Sequence, residues 1–365
     1  MKIDDIARLA GVSKSAVSLA LNNKAGVSEA TRQHILEISR QNGYIPRTFK
    51  SNKVAPKNNT LIRFIACKNV DIVTEHYESQ PFFNELIHHL MSYAGEQGHT
   101  LVISSVSVQN LNKEIETLES EQSSAGILLL GTNLTADMIE SVLSVHKNVV
   151  VMDTCLEQVD ASIVGINNYL GGYQAGRFLL GQGYKSIGYV QSDVRIVNFI
   201  KRKQGFEAAL KEGGLQLEDK LTYYMNPMSV VSQPSFKAEI EQIKANSKAE
   251  QLPEAIFCEN DYMAISAIKT FQELGIKVPE EVAVMGFDNI FEAEIISPEL
   301  TTIQVKKDVM AKTAMDVLLQ KVNHADASHR SNQAEPSHVI NDGINVQVYV
   351  NTEVIVRKST SLKEV

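Results

Sequence analysis

Two aspartates lie where the strands of a parallel sheet would end. Asp153 directly follows the apolar run 149–152, and Asp261 follows the run 255–258 after Glu-Asn. Ligands bind at the carboxyl ends of strands in open parallel sheets. A carboxylate there accepts hydrogen bonds from the donor groups of a small molecule. We therefore expect both aspartates to contact a ligand, although Asp261 also suits the N-cap of the following helix.

The sequence shows no arrangement that supports catalysis, metal binding or cofactor binding. The nine histidines lack metal-ligand spacing, and the side chains of the adjacent His88 and His89 would diverge on a helix. Gly171 and Gly172 open a helical segment without the GxGxxG spacing of a dinucleotide site, so they indicate close packing of helix against sheet. No Ser-His-Asp order is supported. We expect no enzyme activity, no cofactor and no metal.

Cysteine usage and hydropathy indicate a cytoplasmic protein. Cys67, Cys155 and Cys258 are far apart and odd in number, which predicts buried, reduced thiols. No run of 18 apolar residues is present, so no membrane helix is expected. Asp4 and Asp5 stand where the apolar core of a signal peptide would begin.

The charge is divided unequally along the 365 residues. Residues 1–60 contain ten basic and four acidic residues, a net charge of +6, while the remainder contains 25 basic and 39 acidic residues, a net charge of −14. A compact basic module suits a polyanion such as DNA. The acidic remainder does not, so the length and the charge together predict more than one domain.

The basic module has the pattern of a helix-turn-helix. Apolar residues at helical spacing precede Gly11, which permits a tight turn, and Ser13 then suits the N-cap of a second helix. Ser28 suits the N-cap of a third helix. In the second helix Val17 and Ala20 point inward. A solvated bundle face is the alternative interpretation of the opposite side, which presents Lys14, Ser15, Ser18, Leu19 and Asn22.

From residue 61 onward, apolar runs alternate with amphipathic helical segments, which predicts parallel sheets with helices on both faces. The strand-like runs are 61–67, 101–104, 126–130, 149–152, 187–190, 255–258 and 282–286, and the helical stretches lie near 84–97, 170–182, 200–213, 235–246, 262–274 and 308–322. Residues 46–60 read as a polar, basic linker. Residues 323–343 read as an exposed loop.

Several motifs resemble the lactose/galactose/purine repressor family of transcriptional regulators. They occur in order over nearly the whole chain: the residues 3–22, Val27–Arg32 (VSEATR), Gly43–Pro46 (GYIP), Asn260–Ala264 (NDYMA), Gly286–Asn289 (GFDN) and Pro298–Ile303 (PELTTI). The resemblance implies an α/β protein with a three-helix helix-turn-helix headpiece and a two-subdomain core like that of periplasmic binding proteins, with parallel sheets.

This resemblance implies a domain plan with three chain crossings. The headpiece would span residues 1–45, the hinge 46–60 and the effector-binding and dimerisation core 61–357. Subdomain one would comprise 61–159 and 290–322, and subdomain two 160–289 and 323–357. The crossings are then expected near residues 160, 290 and 322.

The resemblance also implies DNA contacts. Lys14, Ser15 and Leu19 match positions that enter the major groove, and we expect Ser18 and Asn22 on the same face. Family hinges insert a leucine into the minor groove. Here Lys53 replaces that leucine and Lys50 a small residue, while Val54 follows and Pro56 shortens the helix. Phosphate contacts are expected from Arg47, Lys50 and Lys53.

Effector contacts follow from the same resemblance. Phe82 and Phe83 match aromatic positions that pack on the ligand ring, and burial in the core is their alternative. Arg202 matches an arginine that reaches polar ligand groups, with a solvated helix face as its alternative. Arg195 matches less closely because its spacing is one residue longer. The full set of expected effector residues is Phe82, Phe83, Asp153, Arg195, Arg202 and Asp261.

The sequence thus predicts a homodimeric repressor that binds double-stranded operator DNA under control of a small ligand, expected to be a sugar or sugar derivative. A nucleobase or a protein coregulator is the alternative within the same class. An enzyme with a regulatory headpiece and a solute-binding protein without DNA function are the alternatives from other classes. The absence of catalytic motifs opposes the first, and the headpiece opposes the second.

Overall fold

A computed structural model describes residues 7–21, 26–28, 31–35, 38, 60–68, 77–246, 251–330 and 345–360. The chain divides into two compact units, Met1–Asn58 and Asn59–Val365.

The N-terminal unit contains the predicted turn between two helical segments. Residues 7–9 are helical, Gly11 adopts φ +65°, and helix α1 follows at Lys14–Leu21. The Ser13 hydroxyl accepts a hydrogen bond from the Ala16 amide at 3.2 Å, which confirms the predicted N-cap. The Ser28 hydroxyl accepts one from the Thr31 amide at 3.2 Å. A small core buries Ala7, Ala10, Val17, Ala20 and Ile35.

The first sheet of the C-terminal unit has six strands, all parallel, in the order β11-β5-β4-β3-β1-β2. Its central strands are apolar throughout because both faces of the sheet are covered. The strands are β1 (Leu61–Lys68), β2 (Thr100–Ser107), β3 (Gly126–Leu130), β4 (Val149–Met152), β5 (Ser162–Ile166) and β11 (Gln347–Val350). The helices beside them are α2 (Pro81–Glu96), α3 (Leu111–Glu121), α4 (Ala136–Val145) and α10 (Lys307–Arg330).

The second sheet also has six strands, in the order β12-β10-β9-β8-β6-β7, and only β12 runs antiparallel to its neighbour. The strands are β6 (Ile187–Ser192), β7 (Thr222–Met225), β8 (Ala255–Cys258), β9 (Ala283–Asp288), β10 (Thr301–Gln304) and β12 (Glu353–Ile355). The helices that follow in this half are α5 (Asn168–Gly181), α6 (Val197–Glu212), α7 (Pro234–Ala245), α8 (Asp261–Glu273) and α9 (Glu292–Ile295).

The predicted alternation of strands and helices is confirmed, but the expected crossings between the two halves are displaced. Strand β5 still belongs to the first sheet, so the first crossing follows Ile166 and not residue 160. Strand β10 belongs to the second sheet, so the crossing expected near 290 follows Gln304. Strand β11 returns to the first sheet, which moves the last crossing from 322 to the residues between β11 and β12. Helix α10 reaches Arg330, so the loop predicted at 323–343 is wrong over its first residues.

The double glycine of α5 has the packing role expected of it. A Cβ atom at Gly171 would lie 2.5 Å from the Phe287 ring of β9. A Cβ atom at Gly172 would collide with the backbone carbonyl of Arg202 in α6. Helix α5 therefore packs directly on the sheet and on α6, and this close approach fixes the position of Arg202.

Two further expectations concern the cysteines and the membrane. Cys67, Cys155 and Cys258 are buried and form no disulfide, as predicted. Within the described residues, no helix combines the length and apolar character needed to cross a membrane.

Candidate functional site

A small cavity lies where the carboxyl ends of the two sheets meet within the C-terminal unit. Residues after β3 and β4 and from the start of α2 line one side, and residues from α6, α8 and the ends of β8 and β9 line the other. The cavity holds about 30 Å³, which is room for roughly two water molecules. The lining residues are Gln80, Phe82, Phe83, Thr132, Asp153, Ile196, Asn198, Phe199, Arg202, Asn260, Tyr262 and Asp288.

Asp153 contributes a buried carboxylate from the end of β4. Its Oδ2 accepts a hydrogen bond from the Thr132 hydroxyl at 2.6 Å, and its Oδ1 accepts one from the Asn198 amide at 3.2 Å. Burial raises the pKa of Asp153 to about 7, against the lowering effects of the Thr132 hydrogen bond and the Arg202 charge. The predicted residue therefore lies on the cavity wall.

Arg202 is the central cation of the site, and it is almost fully buried. Its Nε donates to Asn168 Oδ1 at 2.8 Å, its Nη1 to the Glu259 carbonyl at 2.5 Å, and its Nη2 to Asp288 Oδ1 at 3.2 Å. The guanidinium also lies 3.6 Å from the centre of the Phe287 ring, a cation–π contact. The alternative of a solvated helix face is thereby excluded for Arg202.

The two aspartates of the cavity wall share an uncommon backbone conformation. Asp153 has φ +57° and Asp288 has φ +116°. Residues other than glycine seldom adopt positive φ, and such conformations cluster at ligand sites and switches. Burial also raises the pKa of Asp288, an effect opposed by the charges of Arg202 and Lys307.

An aromatic side completes the cavity. The Phe82 and Phe83 rings meet edge to face at 5.2 Å, and Phe199 lines the opposite half. The Phe82 amide donates to the Tyr262 hydroxyl at 3.4 Å, which links the two halves. Both predicted phenylalanines are therefore buried and on the cavity wall, and their contact with a ligand stays a prediction.

Two predicted effector residues lie away from the cavity wall. The side chain of Asp261 is directed toward β9 and β10. Its Oδ1 accepts a hydrogen bond from the Thr302 hydroxyl at 2.6 Å, and its Oδ2 accepts one from the Ile290 amide at 2.9 Å. The N-cap of α8 is its neighbour Asn260, which accepts from the Met263 amide at 2.9 Å. Asp261 therefore has a structural role in this structure, and its expected ligand contact stays a prediction.

Arg195 likewise points to a protein partner. Its Nη1 donates to both carboxylate oxygens of Glu259, at 2.8 and 2.7 Å, and 30% of its side chain is exposed. Arg195 is not among the residues that line the cavity. Arg195 forms an ion pair with Glu259 in this structure, and its expected ligand contact stays a prediction.

Sequence reasoning missed several residues that the structure brings to the cavity. Asp288 ends β9, so the same strand-end rule that selected Asp153 would have found it. Thr132 follows β3 by two residues. Helix or segment positions such as Gln80, Asn198 and Tyr262 carry no comparable signal in the sequence.

The expected DNA contacts are described only in part. In α1, Lys14 is exposed and Leu19 is partly exposed, while Ser15 and Ser18 lie on the same helix. Asn22, Arg47, Lys50 and Lys53 lie outside the described residues. The roles of all eight residues stay predictions.

Comparison with known proteins places this geometry in a family. Residues 2–47 match the profile of bacterial regulatory proteins of the lacI family, and residues 177–360, half of the chain, match a periplasmic binding protein-like domain. The chain belongs to the LacI family. Members of this family are transcriptional repressors, so this LacI-family protein is a DNA-binding regulator and not an enzyme.

Individual relatives resemble the chain over almost its full length. The transcriptional repressor PurR of Mannheimia succiniciproducens is 29% identical, with 94% of this chain and 98% of that protein covered. The ribose operon repressor of Haemophilus influenzae is 28% identical, with 93% and 97% covered. The Lac repressor dimer bound to operator and the anti-inducer ONPF has a TM-score of 0.64 at 20% identity, with 99% of both chains covered. This last likeness shows the fold alone.

Proposed function

We propose that this LacI-family repressor is a cytoplasmic homodimer whose operator affinity is controlled by a sugar or sugar derivative bound in the cavity between the two sheets. The observation that carries this proposal is the buried polar cavity at the carboxyl ends of both sheets. It combines aromatic rings with hydrogen-bonding groups on opposite walls. Pockets with this composition orient small polar ligands.

The chemistry of the walls supports a polyhydroxylated ligand. Asp153 and Asp288 supply carboxylate oxygens, which accept hydrogen bonds from hydroxyl groups. Asn198 adds a buried side-chain carbonyl oxygen that has no donor within the described part of the chain. The rings of Phe82 and Phe199 supply flat apolar surfaces for the C–H faces of a sugar. The name of the ribose operon repressor is consistent with such a ligand.

A nucleobase effector is the second candidate, and a specific comparison favours it. Several relatives with 28–29% identity carry the name PurR. A planar base would stack between the same aromatic side chains and pair its donors with Asp153 or Asp288. Both ligand classes would bind the same cavity and control operator binding in the same way. Only the ligand screen therefore distinguishes them.

The described cavity is too small for either ligand, so binding requires a change in the closure of the two halves. In the described state, contacts such as that between Asn198 and Asp153 join the halves directly. A ligand shifts the population of closure states only by its difference in affinity for them. A coupling of about 1–3 kcal/mol would change operator affinity about 5–150-fold.

The headpiece supplies the DNA contacts in this proposal. We infer base contacts by Lys14, Ser15, Ser18, Leu19 and Asn22, and phosphate contacts by Arg47, Lys50 and Lys53. A dimer would place two headpieces on the half-sites of one operator.

A two-step experiment tests the function. Thermal denaturation of the full-length protein is followed with pentoses, hexoses, their amino and phosphate derivatives, and purine and pyrimidine bases. A ligand at 100 times its Kd adds about 2.7 kcal/mol to the free energy of unfolding. Compounds that stabilise the protein are then added to an operator-binding titration. A sugar that changes operator affinity supports the proposal, and a nucleobase that does so instead selects the second candidate.

A further inference from the structure

We infer that the cavity selects an effector without negative charge, such as a neutral polyol or an amino derivative, and rejects its phosphorylated or carboxylated counterparts. This inference rests on the proposed function, since it concerns the ligand of the same cavity. It follows from the charges on the walls and from the way in which the nearby cations are already used.

The cavity wall, as far as the described residues form it, contains a single cation. That residue is Arg202, and each of its three side-chain nitrogens already donates to a protein acceptor: Asn168, the Glu259 carbonyl or Asp288. Its positive charge is balanced by the Asp288 carboxylate at 3.2 Å. An incoming phosphate would meet only the two remaining N–H groups of Arg202, on a guanidinium whose charge the Asp288 carboxylate already balances.

The next cations are also engaged with the protein. Lys307 is buried, and its Nζ contacts Glu85 Oε2 at 2.9 Å, the Asp288 carbonyl at 3.1 Å and the Asn289 carbonyl at 3.2 Å. Arg195 is held by both oxygens of Glu259.

The negative charge of Asp153 is only partly balanced, because Arg202 lowers its pKa through charge while donating its hydrogen bonds to other residues. The hydrogen-bond donors to the Asp153 carboxylate within the described residues are neutral, namely Thr132 and Asn198. The Asp153 side chain is only 3% exposed, so solvent compensates little of its charge. The raised pKa of Asp153 is the expected consequence of such burial.

A separate observation indicates that the cavity wall can accept a hydrogen bond from a ligand. Asn198 is 2% exposed and lines the cavity, and its Oδ1 has no hydrogen-bond partner among the residues that the structure describes. A buried acceptor without a donor is uncommon in a folded protein. Together with Asp153, it presents acceptors to which hydroxyl or ammonium groups would donate. A phosphate or carboxylate, being an acceptor itself, cannot satisfy them.

The inference is tested with pairs of related compounds whose members differ in charge. Binding to the full-length protein is measured by calorimetry at constant ionic strength and pH 7.5. The pairs are glucose with glucose 6-phosphate, ribose with ribose 5-phosphate, adenosine with its 5′-monophosphate, and glucosamine with gluconate. In every pair that binds, we expect the neutral or cationic member to bind at least about tenfold more tightly, a difference of about 1.4 kcal/mol.

Two variants assign the selectivity to its source. Asp153→Asn removes this partly balanced charge with little change of shape. It should narrow the ratio of the two Kd values within each pair at least about threefold. Glu157→Gln is the matched control. This carboxylate lies four residues away, is 64% exposed and pairs with Lys201 at 2.8 Å outside the cavity wall. It should leave the difference unchanged.

The outcomes separate this inference from the function on which it rests. If a phosphorylated or carboxylated member binds as tightly as its counterpart, the charge selection is wrong while the effector site stands. If Asp153→Asn folds and leaves the difference unchanged, Asp153 is not its source. If Asp153→Asn does not fold, the comparison within pairs on the wild-type protein alone decides. If no sugar or base binds, the proposed function fails, and this inference with it.

Discussion

Asn198 donates its side-chain amide to two oxygens of Asp153, the backbone carbonyl at 3.1 Å and the carboxylate Oδ1 at 3.2 Å. Asp153 ends a strand of the first sheet, and Asn198 lies in the helix that follows β6 of the second sheet. This side chain therefore joins the two halves at the cavity, as does the Phe82–Tyr262 hydrogen bond. The same pair is positioned to exchange this contact for one to a ligand.

We predict that Asn198→Ala weakens the closed state. The substitution leaves the buried oxygens of Asp153 with one donor fewer, a loss of about 1–3 kcal/mol. Small-angle scattering of the ligand-free protein should show a larger radius of gyration. Lys201→Ala is the control from the same helix, because its pair with Glu157 is exposed and contributes about 0–1 kcal/mol. An unchanged radius for Asn198→Ala would mean that other contacts determine closure.

Asp261 should affect stability more than effector binding. Asp261→Ala leaves the Thr302 hydroxyl and the Ile290 amide without their acceptor, and each loss destabilises by about 1–3 kcal/mol. Asp261→Asn should be milder, because the amide oxygen still accepts one hydrogen bond. Urea denaturation measures both variants. A normal stability of Asp261→Ala combined with a lost effector response would restore the ligand role that the sequence predicted.

Stability should decline as the pH rises through the weakly acidic range. Burial raises the pKa of Asp153 and Asp261 to about 7, and it raises the pKa of Asp288 and Glu259 as well. In the unfolded chain these groups ionise near pH 4. Between about pH 4 and pH 7 the folded state binds more protons, so the free energy of unfolding from these groups falls as the pH rises and levels off above about pH 7.

The pH prediction is checked by urea denaturation at a series of pH values. Asp261→Asn should flatten the profile, because one of the groups that must ionise inside the folded protein is gone. The same slope in Asp261→Asn and in the wild-type protein would show that Asp261 is already ionised at low pH.

Leu19 should read particular bases. It offers only apolar contact, for example to a thymine methyl group, so Leu19→Ala should cost about 1–3 kcal/mol at specific half-site positions. Leu9 is 50% exposed on the preceding helical segment, and Leu9→Ala is the control. Binding is measured against a set of operator variants. A loss that is equal for all variants would make Leu19 a general contact without sequence preference.

Lys50 and Lys53 should contribute charge to DNA binding. If both contact phosphates, replacement of both by Ala lowers the slope of log K against log salt concentration by about 0.9 per lost contact. Val54→Ala should then have little effect. A large loss of DNA bending in Val54→Ala with an unchanged salt slope would show that Val54 has taken over the wedge role of the family leucine.

Most strands of the fold could be predicted because a parallel sheet with helices on both faces is built from continuous apolar runs. Strands β3 and β4 are examples. The missed strands are short and contain glycine or polar residues, as in β5 and β10. Helix α3 escaped prediction because it buries only Leu111 and Ile115 on the described core. The crossings depend on which sheet receives each short strand, and local periodicity does not carry that information.

The sequence pattern predicts at which strand ends the site lies, but it does not predict which side chains face the cavity. Three consecutive polar residues follow β8, and the pattern does not determine which of them faces the cavity. Asn260 does, whereas Asp261 turns toward Gly286, where a Cβ atom would collide with its Oδ1. The direction of Asp261 thus depends on a glycine in another strand, which no local reading of residues 255–261 reveals.

Control of DNA binding by the cavity is decided by the operator affinity of the full-length protein, measured with and without a compound that binds its core. The wild-type protein and Glu157→Gln should show the same effector-dependent change, between about 5-fold and 150-fold. In Asp153→Asn the ratio at the same effector concentration should lie closer to one. A compound that binds the core tightly yet leaves wild-type operator affinity unchanged would contradict the proposal that the cavity controls DNA binding.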